Sequence, residues 1–170
     1  MQVTQTTELG IACEAQALPS LATPIQQVVI DTNVILDLCL FEDPKVGALM
    51  SKIREGSLVW LATQGMRDEL VRVLTYPHLV GKAQQKDESL QLPVGSTLAQ
   101  LLALFDEWVT LCEAAPKARY MCKDPDDQKF IDLAAHTGAM LISKDKAVLA
   151  LTNRLARLGV KVCNTPKLPF

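Results

Sequence analysis

An α/β domain, built on a parallel β-sheet with helices on both faces, is what this 170-residue chain predicts, and three observations carry that expectation. Short apolar runs rich in β-branched residues alternate with segments of helical period, the pattern of strands joined by crossover helices. Two of the runs, Val28-Val29-Ile30 and Leu141-Ile142-Ser143, are closely followed by an aspartate, Asp31 and Asp145. No glycine-rich phosphate fingerprint follows the first strand, which excludes a dinucleotide-binding version of the architecture.

The elements follow in order. Residues 1–24 are polar, lack a period and contain Pro19 and Pro24, so they read as a mobile arm ahead of a domain spanning residues 25–170. The run ending at Ile30 is a strand buried on both faces. Asn33 suits the cap of a helix over Val34 to Leu40. A second helix opens at Pro44 or Lys45, places Val46, Leu49, Met50 and Ile53 on one face and stops at Gly56. Leu58 to Ala62 is a second buried strand, and Thr63 caps a helix running to about Thr75, where Tyr76-Pro77 ends it.

From Gly81 to Pro93 the chain is polar and reads as a loop or short helix. Ser96 to Trp108 is a helix with Leu98, Leu101, Leu102, Phe105 and Val109 inward. Lys123-Asp124-Pro125-Asp126-Asp127-Gln128 is a helix start, with Asp124 as cap, Pro125 in the first position and acids against the positive end of the dipole. Met140 to Ser143 is a strand, Ala147 to Leu158 a helix stopped by Gly159, and Val160 to Cys163 the last strand.

Composition narrows the chemistry. With 49% hydrophobic and 21% charged residues, the chain suits one soluble domain with a proper core and is too short for two. No run approaches the ~18 apolar residues that span a bilayer. The first Lys or Arg is Lys45, so the amino terminus lacks a signal peptide's basic region and a cytoplasmic location is expected. Cys13, Cys39, Cys112, Cys122 and Cys163 are odd in number and form no C-x-x-C pair, which argues for reduced thiols rather than disulfides or zinc. With His78 and His136 the only histidines, any chemistry falls to carboxylates. Residues 1–113 hold 7 basic and 14 acidic side chains, net −7, whereas residues 114–170 hold 10 and 5, net +5. A basic half beside an acidic site is compatible with a polyanionic substrate next to metal ions.

Four acids can be placed at one sheet edge. Asp31 and Asp145 each end a strand, where a metal or phosphate ligand and a simple helix cap are both reasonable. At 100° per residue, Glu69 falls beside the stripe of Met66, Leu70, Val73 and Leu74, while Asp68 points to solvent. Asp127 lies in line with Phe130, Ile131, Ala134 and Ala135 and so points inward, where a carboxylate needs a partner. Four converging carboxylates repel unless they hold a hard divalent ion such as Mg²⁺ or Mn²⁺. Two such ions activate water and stabilise the leaving oxygen in phosphodiester cleavage.

The motifs Ile30-Asp31-Thr32-Asn33-Val34, Asp68-Glu69-Leu70, Asp124-Pro125-Asp126-Asp127-Gln128-Lys129-Phe130-Ile131 and Leu141-Ile142-Ser143-Lys144-Asp145 stand in a distinctive order. On them, over about residues 27–165, the chain resembles the PIN-domain family of metal-dependent nucleases, especially the VapC-like toxins of bacterial toxin-antitoxin systems. The resemblance implies a three-layer fold with a sheet of about five strands. It also implies cleavage of RNA with Mg²⁺ or Mn²⁺, an acidic quartet of Asp31, Glu69, Asp127 and Asp145, and support from Thr32, Asn33 and Ser143. It further implies an antitoxin partner and a homodimer. The arm before Ile25 is extra, and the net charge of −2 leaves RNA to local cations, with Arg67, Arg72, Lys123, Lys129, Lys144 and Lys146 as candidates.

Other readings compete. A haloacid-dehalogenase-like phosphatase needs an acid where Asn33 stands, and a receiver domain needs paired acids after the first strand. An inactive PIN-like module that binds RNA or protein, and a housekeeping RNA-processing nuclease, are the alternatives to a toxin.

Overall fold

The computed structural model describes residues 25–40, 44–91 and 93–164, so the expected arm and the last six residues lie outside it. Strand β1 (Gln26–Ile30) is followed by helices α1 (Thr32–Leu40) and α2 (Pro44–Arg54), then β2 (Leu58–Thr63). Helices α3 (Gln64–Val73), α4 (Pro77–Ser89) and α5 (Ser96–Trp108) lead to β3 (Val109–Cys112). After α6 (Gln128–Thr137) come β4 (Met140–Ile142), the short helices α7 (Lys146–Leu149) and α8 (Thr152–Ala156), and β5 (Val162–Cys163). The five strands form one parallel sheet in the order β3-β2-β1-β4-β5.

The central strands are buried because both faces of the sheet are covered. Val28 and Val29 are fully buried on β1, as are Leu141 and Ile142 on β4. Helices α1 and α2 pack on each other and α4 on α5, while α6 lies across β1, β2 and β4, giving the three layers of an α/β sandwich. Under β2, Trp60 meets Phe105 of α5 edge to face, with ring centroids 5.2 Å apart, a geometry that the aromatic quadrupoles favour.

The strand order locates the ligand edge. From β1 the chain moves outward through β2 to β3, then returns to the opposite side of β1 for β4 and β5. The direction of winding therefore reverses between β1 and β4, and the crevice beyond their carboxyl ends is the topological switch point of the sheet. Ile30 pairs with Ile142, so Asp31 and Ser143 leave the sheet side by side, tied by the Asp31 amide donating to the Ile142 carbonyl at 2.9 Å.

Five local expectations need correction. The segment read as a loop or short helix over residues 81–93 is largely α4, a helix of 13 residues nucleated by Pro77 at its first turn. Its buried positions are Leu79, Ala83 and Asp87, spaced i, i+4, i+8, and a stripe made of one leucine, one alanine and one acid hardly registers as apolar. Val109 belongs to β3, not to the inward face of α5, and this four-residue edge strand is half-exposed, with no buried run to announce it. Asp124 does not cap α6: the helix begins at Gln128, and Asp124 Oδ1 accepts from the Asp126 amide at 2.9 Å in a preceding turn. Asn33 is not the cap of α1, since Asp31 takes that place by accepting from the Asn33 amide at 3.1 Å. The single helix expected over 147–158 is two, α7 and α8, because the chain turns at Ala150-Leu151.

Candidate metal centre

Each of the four acids reaches the switch point by a different route. Asp31 is carried by β1 and is 2% exposed. Its two oxygens are separately held: Oδ1 accepts from the Asn33 amide, and Oδ2 accepts from Ser143 Oγ at 2.6 Å. Fully buried Ser143 also accepts, through the same Oγ, from the Asp145 amide at 3.0 Å. One hydroxyl thereby fixes two acidic positions, using the donor and acceptor that a serine has. Asp145 caps α7, its Oδ1 accepting from the Ala147 amide at 2.6 Å.

Glu69 comes from the second turn of α3, where Thr32 Oγ1 donates to its Oε1 at 3.2 Å. Its Oε2 is paired in charge with Lys129 of α6, without hydrogen-bond geometry. Asp127 sits at the start of α6, and its Oδ2 is buried with no hydrogen-bond partner. A buried acceptor with no donor is costly.

Electrostatics tie the quartet together. The Asp127 carboxyl is pushed up to about 7, first by burial and then by the negative charges of Asp31, Asp145, Asp124 and Glu69. Asp31 is also raised, by burial above all, against the lowering hydrogen bonds from Ser143 and Asn33, with Asp145 and Glu69 adding repulsion. Among the described residues no group of three or more acidic, histidine or cysteine side chains stands close enough together to hold a metal ion as arranged. The donor chemistry still fits a hard cation: carboxylate oxygens at the carboxyl edge of the sheet, that of Asp127 buried and without a hydrogen-bond donor. Mg²⁺ in particular is held by one or two carboxylates together with waters and phosphate oxygens rather than by a closed cage.

The supporting residues divide. Thr32 and Ser143 are buried and hydrogen-bond to Glu69 and Asp31, whereas the Asn33 side chain is exposed and contributes through its amide. The cations divide too. Arg67 is turned aside into a two-pronged pair with Asp106, at 2.6 and 2.7 Å. Lys129 is taken by Glu69, and Lys144 by Asp37. Arg72 is exposed on α3. Lys123 and Lys146 line a cavity of about 420 Å³ together with Arg154.

Two contributors, and the role of a third, escaped sequence reasoning. Asp37, 8% exposed, lies one turn beyond Asn33 on α1, and that i, i+4 spacing was the available signal. Arg154 had none, because only the turn between α7 and α8 brings it to Lys123 and Lys146. Lys129 was visible as a cation, but its role as the counter-charge of Glu69 depends on how α6 packs against α3.

Comparison with known proteins agrees with this fold. A family model described as PIN domain matches residues 27–147. Among solved structures, the fold is similar to that in the crystal structure of VapBC2 from Rickettsia felis bound to a DNA fragment from their promoter. The TM-score is 0.53 at 11% identity, covering 82% of this chain and 98% of that one. No curated protein matches the sequence. With the family model spanning most of the described domain, and with the acids of all four motifs at one sheet edge, the chain belongs to the PIN domain family.

Proposed function

We propose that this protein is a metal-dependent endoribonuclease and the toxin of a toxin-antitoxin pair. PIN domains are nucleases in general; the metal, the RNA and the toxin role are the finer reading. The observation that carries it is the gathering of Asp31, Glu69, Asp127 and Asp145 at the switch point with Asp127 Oδ2 buried and unpartnered. Such a cluster is destabilising unless an ion or proton compensates it.

Asp31, Asp127, Asp145 and Glu69 would hold Mg²⁺ or Mn²⁺. When bound, the metal lowers the pKa of water and offsets the charge gathering on the phosphoryl oxygens. The chain's own residues do the rest. Ser143 and the Asn33 amide fix the Asp31 carboxylate so that both its oxygens face defined directions, and Thr32 orients Glu69. Lys129 neutralises Glu69, and its ammonium would serve a substrate phosphate at the same edge. Neither thiol nor hydroxyl at the quartet is set up as a nucleophile: Ser143 is fully buried and donates to Asp31, and burial above all, with the charges of Asp127 and Asp145, pushes the Cys122 thiol up.

The full chain should cleave RNA with Mg²⁺ or Mn²⁺ and stop in excess chelator, and undiminished cleavage in chelator would overturn the mechanism. The similarity to a VapBC pair supports a cognate antitoxin, tested by co-purification from the native operon, and a homodimer is proposed with it, tested by the mass of the purified chain in solution. A monomer without a partner, harmless when expressed yet active on RNA, would favour a processing nuclease.

The ion pair between Lys129 and Glu69 favours a second reading, a binding module whose lysine stands where a metal would. Metal-dependent cleavage by the wild type decides between them: a nuclease shows it, whereas a module shows none.

A further inference from the structure

Lys129 stands at the carboxylate cluster, and three separate contacts keep it there. Its ammonium pairs with Glu69 Oε2, across from α3, and donates to the Asp126 carbonyl three residues earlier in the chain. It also lies over the Phe130 ring, 5.2 Å from the centroid, where a cation is attracted by the negative face of an aromatic ring. Phe130 is itself buried in the core. Two of the three anchors therefore belong to the start of α6 and do not depend on Glu69.

Glu69 is correspondingly occupied. Its Oε1 accepts from Thr32 Oγ1 at 3.2 Å and its Oε2 faces the ammonium, with the Glu69 side chain 13% exposed and that of Lys129 28%. Both oxygens of this acid are thus engaged by the chain's own groups. The aspartates differ: Asp127 Oδ2 is buried without a hydrogen-bond donor, while Asp31 and Asp145 are joined through the single Ser143 hydroxyl. A first dication at the aspartates meets only carboxylates whose charges repel one another. A second dication, on Glu69, would meet the ammonium on the same carboxylate. Paired ions in phosphodiester cleavage lie roughly 3.5–4 Å apart, and a dication repels an ammonium twice as strongly as two single positive charges repel at the same separation. Because α6 anchors the ammonium from behind, it stays beside Glu69 and keeps that place filled.

Resting on the metal-dependent reading, we infer that Lys129 takes the place of a second divalent ion, so that the centre binds one Mg²⁺ or Mn²⁺ at the aspartates while the ammonium holds Glu69 as a fixed positive charge.

The test counts ions in the absence of any substrate. The full chain, stripped of metal with chelator and dialysed, is titrated with Mn²⁺ and followed by electron paramagnetic resonance, which reports both the number of ions bound and whether two of them are magnetically coupled. Wild type should bind one ion per chain, with the spectrum of an isolated Mn²⁺. Lys129→Met, which keeps the length of the side chain and removes its charge, should bind two, with the broadened spectrum of a coupled pair, and Lys129→Arg should return to one. Circular dichroism confirms that the variants fold. Two ions in wild type would overturn the inference and leave the nuclease reading standing, and a single ion in Lys129→Met would do the same. No ion in wild type, or one bound with unchanged affinity in Asp127→Asn, would overturn the metal-dependent reading and the inference with it.

Discussion

Asp124, Asp126 and Asp127 lie within four residues of sequence, yet only Asp127 is buried against the quartet, while the other two are exposed in the turn before α6. Asp127→Asn should therefore abolish RNA cleavage and leave the fold intact, whereas Asp124→Asn keeps cleavage near wild type; assays normalised to folded protein check both. If Asp127→Asn cleaved normally, the metal assignment would have to move along the chain. The same residue sets a pH dependence. A carboxyl at about 7 in the folded protein, against 3.8 as its ordinary value, destabilises the fold when it is forced to ionise. The contribution is favourable below about pH 4 and is lost as pH rises through about 7, and the upward shift of Asp31 acts in the same direction. Melting in chelator should thus occur at a lower temperature at pH 8 than at pH 5, with the difference reduced in Asp127→Asn. A pH profile identical in the two proteins would place the repulsion elsewhere.

At the scale of elements, what was legible depended on burial. Strands β1, β2 and β4 are runs of buried residues and could be read directly, as could α2 and α5, whose apolar residues recur at helical spacing. The edge strand β3 could not be read, because a half-exposed strand loses the apolar run that marks a central one. Helix α4 was obscured by its buried acid. Asp87 is fully buried and accepts from the Gly95 and Thr97 amides and from Thr97 Oγ1, at 2.7, 2.8 and 2.6 Å, joining α4 to the start of α5. Three donors aimed at one carboxylate satisfy the opening turn of α5 from outside the helix, a long-range cap that no local motif announces. The Asp87 carboxyl is held below its ordinary value, chiefly by the Thr97 hydroxyl and then by these amides against the opposing effect of burial. Its stabilisation is present above the ordinary carboxylate range and is lost as pH falls through its lowered pKa. Asp87→Ala should lower the melting temperature at pH 7, with a smaller effect near pH 3 and unchanged cleavage per folded molecule. An equal loss at both pH values would show packing, not the charge, to be responsible.

Across the whole molecule, the acidic quartet was legible because strand ends and helix register are local properties, and a parallel sheet converts four local placements into one site. The cationic surface was not, because pairing decides it. Of the six cations named from sequence, Arg67, Lys129 and Lys144 are each matched to an acid. Lys123 and Lys146, with Arg154, line one cavity. On the proposed function, this trio is where backbone phosphates would be held. Lys146→Ala with Arg154→Ala should weaken RNA binding and reduce the slope of log affinity against log salt by about 0.7 for each phosphate that is no longer neutralised. An unchanged slope would exclude the trio from the interface. No helix among the described residues is long and apolar enough to cross a membrane.

Everything proposed for the chemistry depends on the four acids forming one divalent-metal site. A Mn²⁺ titration of the melting temperature interrogates that site without relying on any substrate, since a ligand that binds only the folded state raises stability with its concentration. Wild type should melt at progressively higher temperature as Mn²⁺ is added, and Asp31→Asn and Asp127→Asn should respond much less. An equal rise in all three proteins would mean that the ion binds elsewhere and that the quartet is not a metal centre.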